Sequence, residues 1–276
     1  MGSVDLKSEF VIEKFLDRYD YDGIEEILRD NGIEDGDLVT LVSACKYLVC
    51  FDFKTSAKRL ESIKSIEIKN RPEIKDMKEH LLNLLEGEPV AIFSELIGSL
   101  QIQCSKEEYI DYLGRVYRLK EALMKYLFIS KNNGNSKRQI SMTVHVPTKY
   151  DIMSTLRKKY KIYTGSLSGG ISEYLNMTRG KSRSIREALS ILNAKNMEGL
   201  IKLRHECPVG HGFRGVSRED IEAIYGDPSE VVEDFVKACR ILDLNVNVDR
   251  HDNINRLILE MLAKYVQKKG DVDKHE

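Results

Sequence analysis

What most constrains this chain is a succession of apolar stripes at helical spacing, cut at short intervals by Asn, Gly or Pro turn signals. The strongest stripe is Asp37 to Phe51, whose LVTLVSACKYLVCF run suits a central buried helix. Around it the pattern predicts helices over Phe10 to Leu16 and Gly23 to Leu28, the second capped by Asp20 or Asp22. Further helices are expected over Lys54 to Ile68, Pro72 to Leu85, Pro89 to Ile102 and Ser105 to Ser130. The remainder are Ser182 to Asn193, Met197 to about Glu206, a helix opened by Ser217 with Asp220 as a capping box, Val231 to Leu242, and Asn253 to Lys268. Short connections between them make antiparallel neighbours.

One segment breaks the period. After the KNNGNS loop at Lys131 to Ser136, Ile140, Met142, Val144 and Val146 alternate with polar residues, which predicts a strand. Pro147, a basic helix to about Lys159 and the β-prone YKIYT follow. GSLSGG at Gly165 to Gly170 reads as a flexible connection, since no GKS or GKT ends it as in a phosphate-binding loop. The expected fold class is therefore mainly α, a helical bundle with a small β-hairpin-like excursion. The expected organisation is a tail over 1–6, one helical domain over 7–269 with a basic insertion at 136–180, and a fraying tail over 270–276.

Length and charge bound the function classes. A chain of 276 residues supports one large or two small domains. Its net charge of −1 gives no general attraction for nucleic acid. Between Lys137 and Arg186, however, eleven basic residues face two acidic ones, a band suited either to phosphates or to plain solvation. No apolar run reaches the roughly 20 residues that span a bilayer, and no signal-peptide core opens the chain, so no membrane association and a cytoplasmic location are expected. Five cysteines, scattered and without a CxxC pair, indicate neither a zinc site nor a disulfide framework. No metal and no cofactor are expected.

The stretch with the most chemistry is Leu203 to Ser217, LRHECPVGHGFRGVS. Arg204 and His211 have six residues between them; on a continuous helix they would share a face about 10 Å apart. Pro208 withholds the N–H that the Arg204 carbonyl would accept, so the helix should kink or stop there. Gly210 and Gly212 should let the chain carry the imidazole in a backbone conformation that bulkier residues resist. Arg138 and His145 repeat the spacing. On the expected strand, though, they would lie on opposite faces about 23 Å apart.

This stretch resembles the HEPN ribonucleases: Arg, a polar residue, a short apolar spacer, His-Gly and a downstream acidic helix, VSREDIEAIY at Val216 to Tyr225. Tyr19 to Leu28 (YDYDGIEEIL) and Tyr109 to Leu127 (YIDYLGRVYRLKEALMKYL) resemble, more narrowly, the C-terminal HEPN domain of the ancillary RNases of type III CRISPR systems. The family pattern is Arg, four to six residues, then His, and the residue after Arg is most often Asn, where this chain has His205.

The resemblance implies a HEPN-type bundle and a homodimer whose two Arg–His pairs form one composite cleft for single-stranded RNA. There His211 would serve as general base or acid and Arg204 would bind the scissile phosphate, with His205 as a further RNA-binding residue. In the family an N-terminal sensor domain binds a cyclic oligoadenylate activator. Here the helical pattern begins almost at once, and the expectation is that the sensor is not in this chain. Two alternatives remain open at this stage: a non-catalytic helical RNA- or protein-binding module, and a stand-alone toxin-like HEPN RNase.

Overall fold

A computed structural model describes residues 6–33, 36–132, 140–144, 146–178 and 183–272, with side chains from Phe10 to Tyr265. The described residues form α-helices and short turns and contain no strand. The chain divides into two compact units, residues 1–85 with 248–276, and residues 86–247.

The first unit holds α1 (Leu6–Asp17), α2 (Tyr21–Asp30), α3 (Asp37–Val49), α4 (Phe53–Glu61), α5 (Ile66–Lys69) and α6 (Pro72–Glu86, up to the boundary), closed by α15 (Arg250–Val272). As its sequence implies, α3 is central: Leu41, Val42 and Ala44 are fully buried, and α2, α4 and α15 pack on it. Asp20 caps α2 by accepting from the Gly23 N–H at 3.1 Å. The C-terminal helix is tied back by buried polar bonds: Tyr21 Oη–H donates to Asn255 Oδ1 (2.8 Å), and Asn255 Nδ2–H donates to the Leu16 carbonyl (3.0 Å). Such groups are buried only when satisfied.

The second unit carries the candidate site. It comprises α7 (Pro89–Lys106), α8 (Tyr109–Asn132), α9 (Lys149–Tyr160), α10 (Leu167–Met177), α11 (Arg183–Leu192), α12 (Lys195–Glu206), a 3₁₀ turn at Pro208–Gly210, α13 (Arg218–Glu222) and α14 (Pro228–Ile241). Helix α8 is its spine, because Tyr112, Leu113, Val116, Leu119, Leu123 and Met124 recur at three- and four-residue spacing and are fully buried. α7, α10, α12 and the 3₁₀ turn pack around it, while α14 packs on α7 and α11. Tyr112, inside this core, donates to the Pro228 carbonyl at 2.7 Å and so fixes the start of α14.

Four expectations need correction. The expected helix over Lys54 to Ile68 is two helices, α4 and α5, because the Asp37 carboxylate accepts from the Lys64 N–H (2.6 Å) and the Ser65 N–H (2.8 Å) and draws both out of helical register. The expected strand is absent over 140–144. There Met142 N–H donates to the Gly87 carbonyl (2.7 Å) and the Ser141 hydroxyl to the Glu86 carbonyl (2.8 Å), so these groups brace the corner before α7 and not a ladder. YKIYT is a helix end: Lys161 takes a left-handed φ of 58°, and Ile162 N–H donates to the Leu156 carbonyl of α9. The hairpin-like excursion thus has no strand among the described residues. Lastly, GSLSGG is not a free connection, because Ser166 caps α10 by accepting from Gly169 N–H at 3.0 Å and Leu167 to Gly170 form its first turn. Of the second Arg–His spacing, Arg138 and His145 lie outside the described residues, and α15 runs through Val272, so only 273–276 of the expected tail fall outside them too.

Candidate functional site

Helix α12 delivers Arg204 in its last turn and stops at Glu206. The stop follows from Pro208, which forces Cys207 into extended backbone (φ −95°, ψ 166°). Arg204 and His211 therefore do not sit two turns apart on one helix. Instead the chain makes the 3₁₀ turn and folds back over the end of α12: Gly210 and Gly212 N–H both donate to the Cys207 carbonyl (2.8 and 3.0 Å), and Arg214 N–H donates to the Glu206 carbonyl (2.8 Å).

The two glycines serve a purpose other than the one the sequence suggests. The residue with left-handed backbone is His211 itself, at φ 83°, closing the 3₁₀ turn much as Glu107 and Lys161 close α7 and α9. Gly210 and Gly212 are needed for close approach. A Cβ on Gly210 would lie 2.0 Å from the Arg204 carbonyl oxygen, and one on Gly212 would lie 1.9 Å from that of Glu206. His211 is thus held between two glycines pressed against the helix end, with its own side chain exposed and without a hydrogen bond among the described residues.

Arg214 fixes the far side of the loop. Its Nη1 bonds Glu206 Oε2 (2.7 Å) and its Nη2 bonds Asp220 Oδ1 (2.6 Å). Asp220 also completes the expected capping box with Ser217 at the start of α13. The Ser217 backbone N–H, then Arg214, hold the Asp220 carboxyl below the usual carboxylate range. Between these anchors Phe213 stands 97 % exposed.

Arg204 has a different environment. Its guanidinium carbon lies 4.6 Å from the centroid of the Tyr117 ring on α8, and its Nη1 lies 3.5 Å from His205 Nδ1. The His205 ring meets the same tyrosine edge-on, with centroids 6.4 Å apart. Although neighbouring helix positions diverge by about 100°, both groups meet the Tyr117 ring. Among the described residues no carboxylate pairs with Arg204, and its Nε is buried without a partner. An unsatisfied buried donor costs about 1 to 3 kcal/mol, against about 0.5 to 2 kcal/mol gained from a cation over an aromatic face. The two effects are of similar size, so the aromatic face offsets the unsatisfied donor.

α8 joins the two halves of the site. Val209, in the turn before His211, lies over Gly114, where an added Cβ would be 3.9 Å away. Tyr117 is three residues on and shares that face. Comparison with family models, curated proteins and solved structures finds no match to this chain. The site is therefore defined by its own geometry.

Neighbouring residues fall into supporting roles. Cys207 is fully buried, its Sγ–H donates to the Leu203 carbonyl at 3.1 Å, and burial pushes its thiol up, which suits packing and not nucleophilic attack. Arg118 pairs with Glu121 at 2.9 Å. Of the basic band, Arg157, Lys158 and Lys159 are exposed in the last turn of α9, whereas Lys137, Arg138, Arg179 and Lys181 lie outside the described residues. Among the described residues no three His, Cys, Asp or Glu side chains gather closely enough to hold a metal ion, and no helix is long and apolar enough to cross a membrane. Tyr117 escaped the sequence reading because nothing local distinguishes it from its neighbours; only the fold brings it under Arg204.

Proposed function

We propose that this chain is a metal-independent endoribonuclease of the HEPN type, cleaving single-stranded RNA through attack of the 2′-hydroxyl. One observation carries the reading: a cationic side chain with no acid partner among the described residues, held on an aromatic ring and flanked by an imidazole, lies at the helix end against which the His211 loop folds. Arg204 binds the scissile phosphate and neutralises charge that develops on its nonbridging oxygens. His211 takes the 2′ proton as the 2′-oxygen bonds to phosphorus, a role commonly worth about 10²- to 10⁴-fold. The bond from phosphorus to the 5′-oxygen breaks, that oxygen is protonated, and the products are a 2′,3′-cyclic phosphate and a 5′-hydroxyl. His205 helps to position the phosphate.

One histidine per chain does not readily act as both base and acid, so a homodimer joining two Arg204–His211 pairs in one cleft belongs to the same reading. So does a place in the cytoplasm and in type III CRISPR antiviral defence. The dimer, the HEPN assignment and the defence role rest on the sequence resemblance.

The test is cleavage of a single-stranded RNA in EDTA, with end-group analysis of the products. Wild type should cut and leave cyclic phosphate ends, whereas Arg204→Ala and His211→Ala should each lose at least about 100-fold while keeping their circular dichroism. Both variants cutting at wild-type rate would place the activity elsewhere. RNA binding by a wild-type chain that does not cut would make it a binding module.

A further inference from the structure

A cavity of about 570 Å³ opens between α8, α10 and α12, and two of its walls, Tyr117 and His205, are the residues that hold Arg204. This is within the usual range for a small-molecule site, about 300 to 1,000 Å³. We infer that the cavity receives the nucleoside flanking the phosphate on Arg204 and gives the enzyme a base preference. The inference rests on the nuclease reading.

The wall chemistry selects a neutral ring over a charged group. Lys120, almost fully buried, is bonded to Glu198, and Glu121 is paired with both Arg118 (2.9 Å) and Lys125 (3.0 Å). The buried charges are therefore compensated, and the exposed Lys149 is the wall cation left for a neighbouring phosphate. Met124, Leu167, Ile201 and the Tyr117 ring supply apolar and aromatic surface for a base.

Polar groups on one wall are already oriented. Asn193 Nδ2–H donates to Ser172 Oγ (2.9 Å) and its Oδ1 accepts from Ser168 Oγ–H (3.3 Å), which leaves the second amide hydrogen and an oxygen lone pair available. Glu198 gives one oxygen to Lys120, and its side chain is 47 % exposed, so its other oxygen is an acceptor for an amino group. Adenine, guanine and cytosine carry such a group, and uracil does not.

The experiment is isothermal titration of the full chain with the four nucleoside 3′-monophosphates, alongside cleavage of RNAs that vary only at the base 5′ of the cut. Wild type should bind at millimolar concentration, with the three amino-bearing bases about tenfold tighter than uridine, the size of a lost hydrogen bond to a charged group. Ser168→Trp, which fills the cavity from α10, should weaken every ligand at least about tenfold. If Ser168→Trp does not fold, Ile201→Trp makes the same test from α12. Cleavage that ignores base identity and persists when the cavity is filled would overturn this inference and leave the nuclease standing. Ser168-sensitive nucleoside binding without cleavage would uphold the cavity and remove the nuclease. No nucleotide binding by wild type would overturn the inference outright.

Discussion

Gly212→Ala tests the geometry of the His211 loop without presuming any activity. The new Cβ would start 1.9 Å from the Glu206 carbonyl oxygen, whereas real Cβ atoms essentially never come under 3.0 Å, so the loop must retreat by more than 1 Å. Helix α12 cannot yield instead, because its last turn is anchored by buried Leu203 and Cys207. The retreat separates two backbone pairs, Gly212 N–H to the Cys207 carbonyl (3.0 Å) and Arg214 N–H to the Glu206 carbonyl (2.8 Å). At about 0.5 to 1.5 kcal/mol each, the loss is about 1 to 3 kcal/mol. With about 1.4 kcal/mol per tenfold, amide exchange in the peptide over 207–214 should quicken about 5- to 150-fold by mass spectrometry. Gly215→Ala is the control: nothing lies within 4 Å of its added Cβ, and its exchange should match wild type. Unchanged exchange in Gly212→Ala would show that the loop does not rest on the helix end as described.

Three further outcomes are expected. Tyr117→Leu should lower kcat/KM for RNA about 2- to 30-fold, the worth of a cation over an aromatic ring, while Tyr117→Phe stays within about twofold; equal loss in both would mean that the ring is not what holds Arg204. Because the Asp220 carboxyl is depressed by Ser217 and Arg214, its contribution is complete above the ordinary carboxylate range and fades as pH falls through the lowered value; the urea midpoint of wild type should exceed that of Asp220→Asn at pH 7, and the gap should close below about pH 4. A gap that widens on acidification would refute that sign. In native thiol labelling Cys50 should react first, and Cys45, Cys207 and Cys239 only on unfolding, as their burial requires; burial raises the Cys239 thiol to about 12.

Where local chemistry decides an element, the sequence displays it. Pro208 ends α12, Asp20 caps α2, and the Ser217–Asp220 capping box starts α13, each readable because cause and effect lie within a few residues. The apolar stripes of α3 and α8 likewise predict their buried faces. What escapes is anything imposed from far along the chain. Asp37 breaks the helix after α4 from 27 and 28 residues away, and the alternating run at 140–144 follows the carbonyls of Glu86 and Gly87 against its own period. The site divides in the same way. Arg204, His205 and His211 are visible as a spacing, but Tyr117 and the cavity exist only once α8 lies beside α12.

The Arg214 bridge between Glu206 and Asp220 closes the His211 loop with charge, while Cys207 sits unpaired inside it. Reductants will therefore leave this closure untouched, and ionic strength will weaken it. All three side chains reach solvent, and the screening distance shrinks from about 8 Å in physiological buffer to about 3 Å in molar salt. Concentrated brine should loosen the Arg214 side of the loop, while the backbone bonds to the Cys207 and Glu206 carbonyls persist.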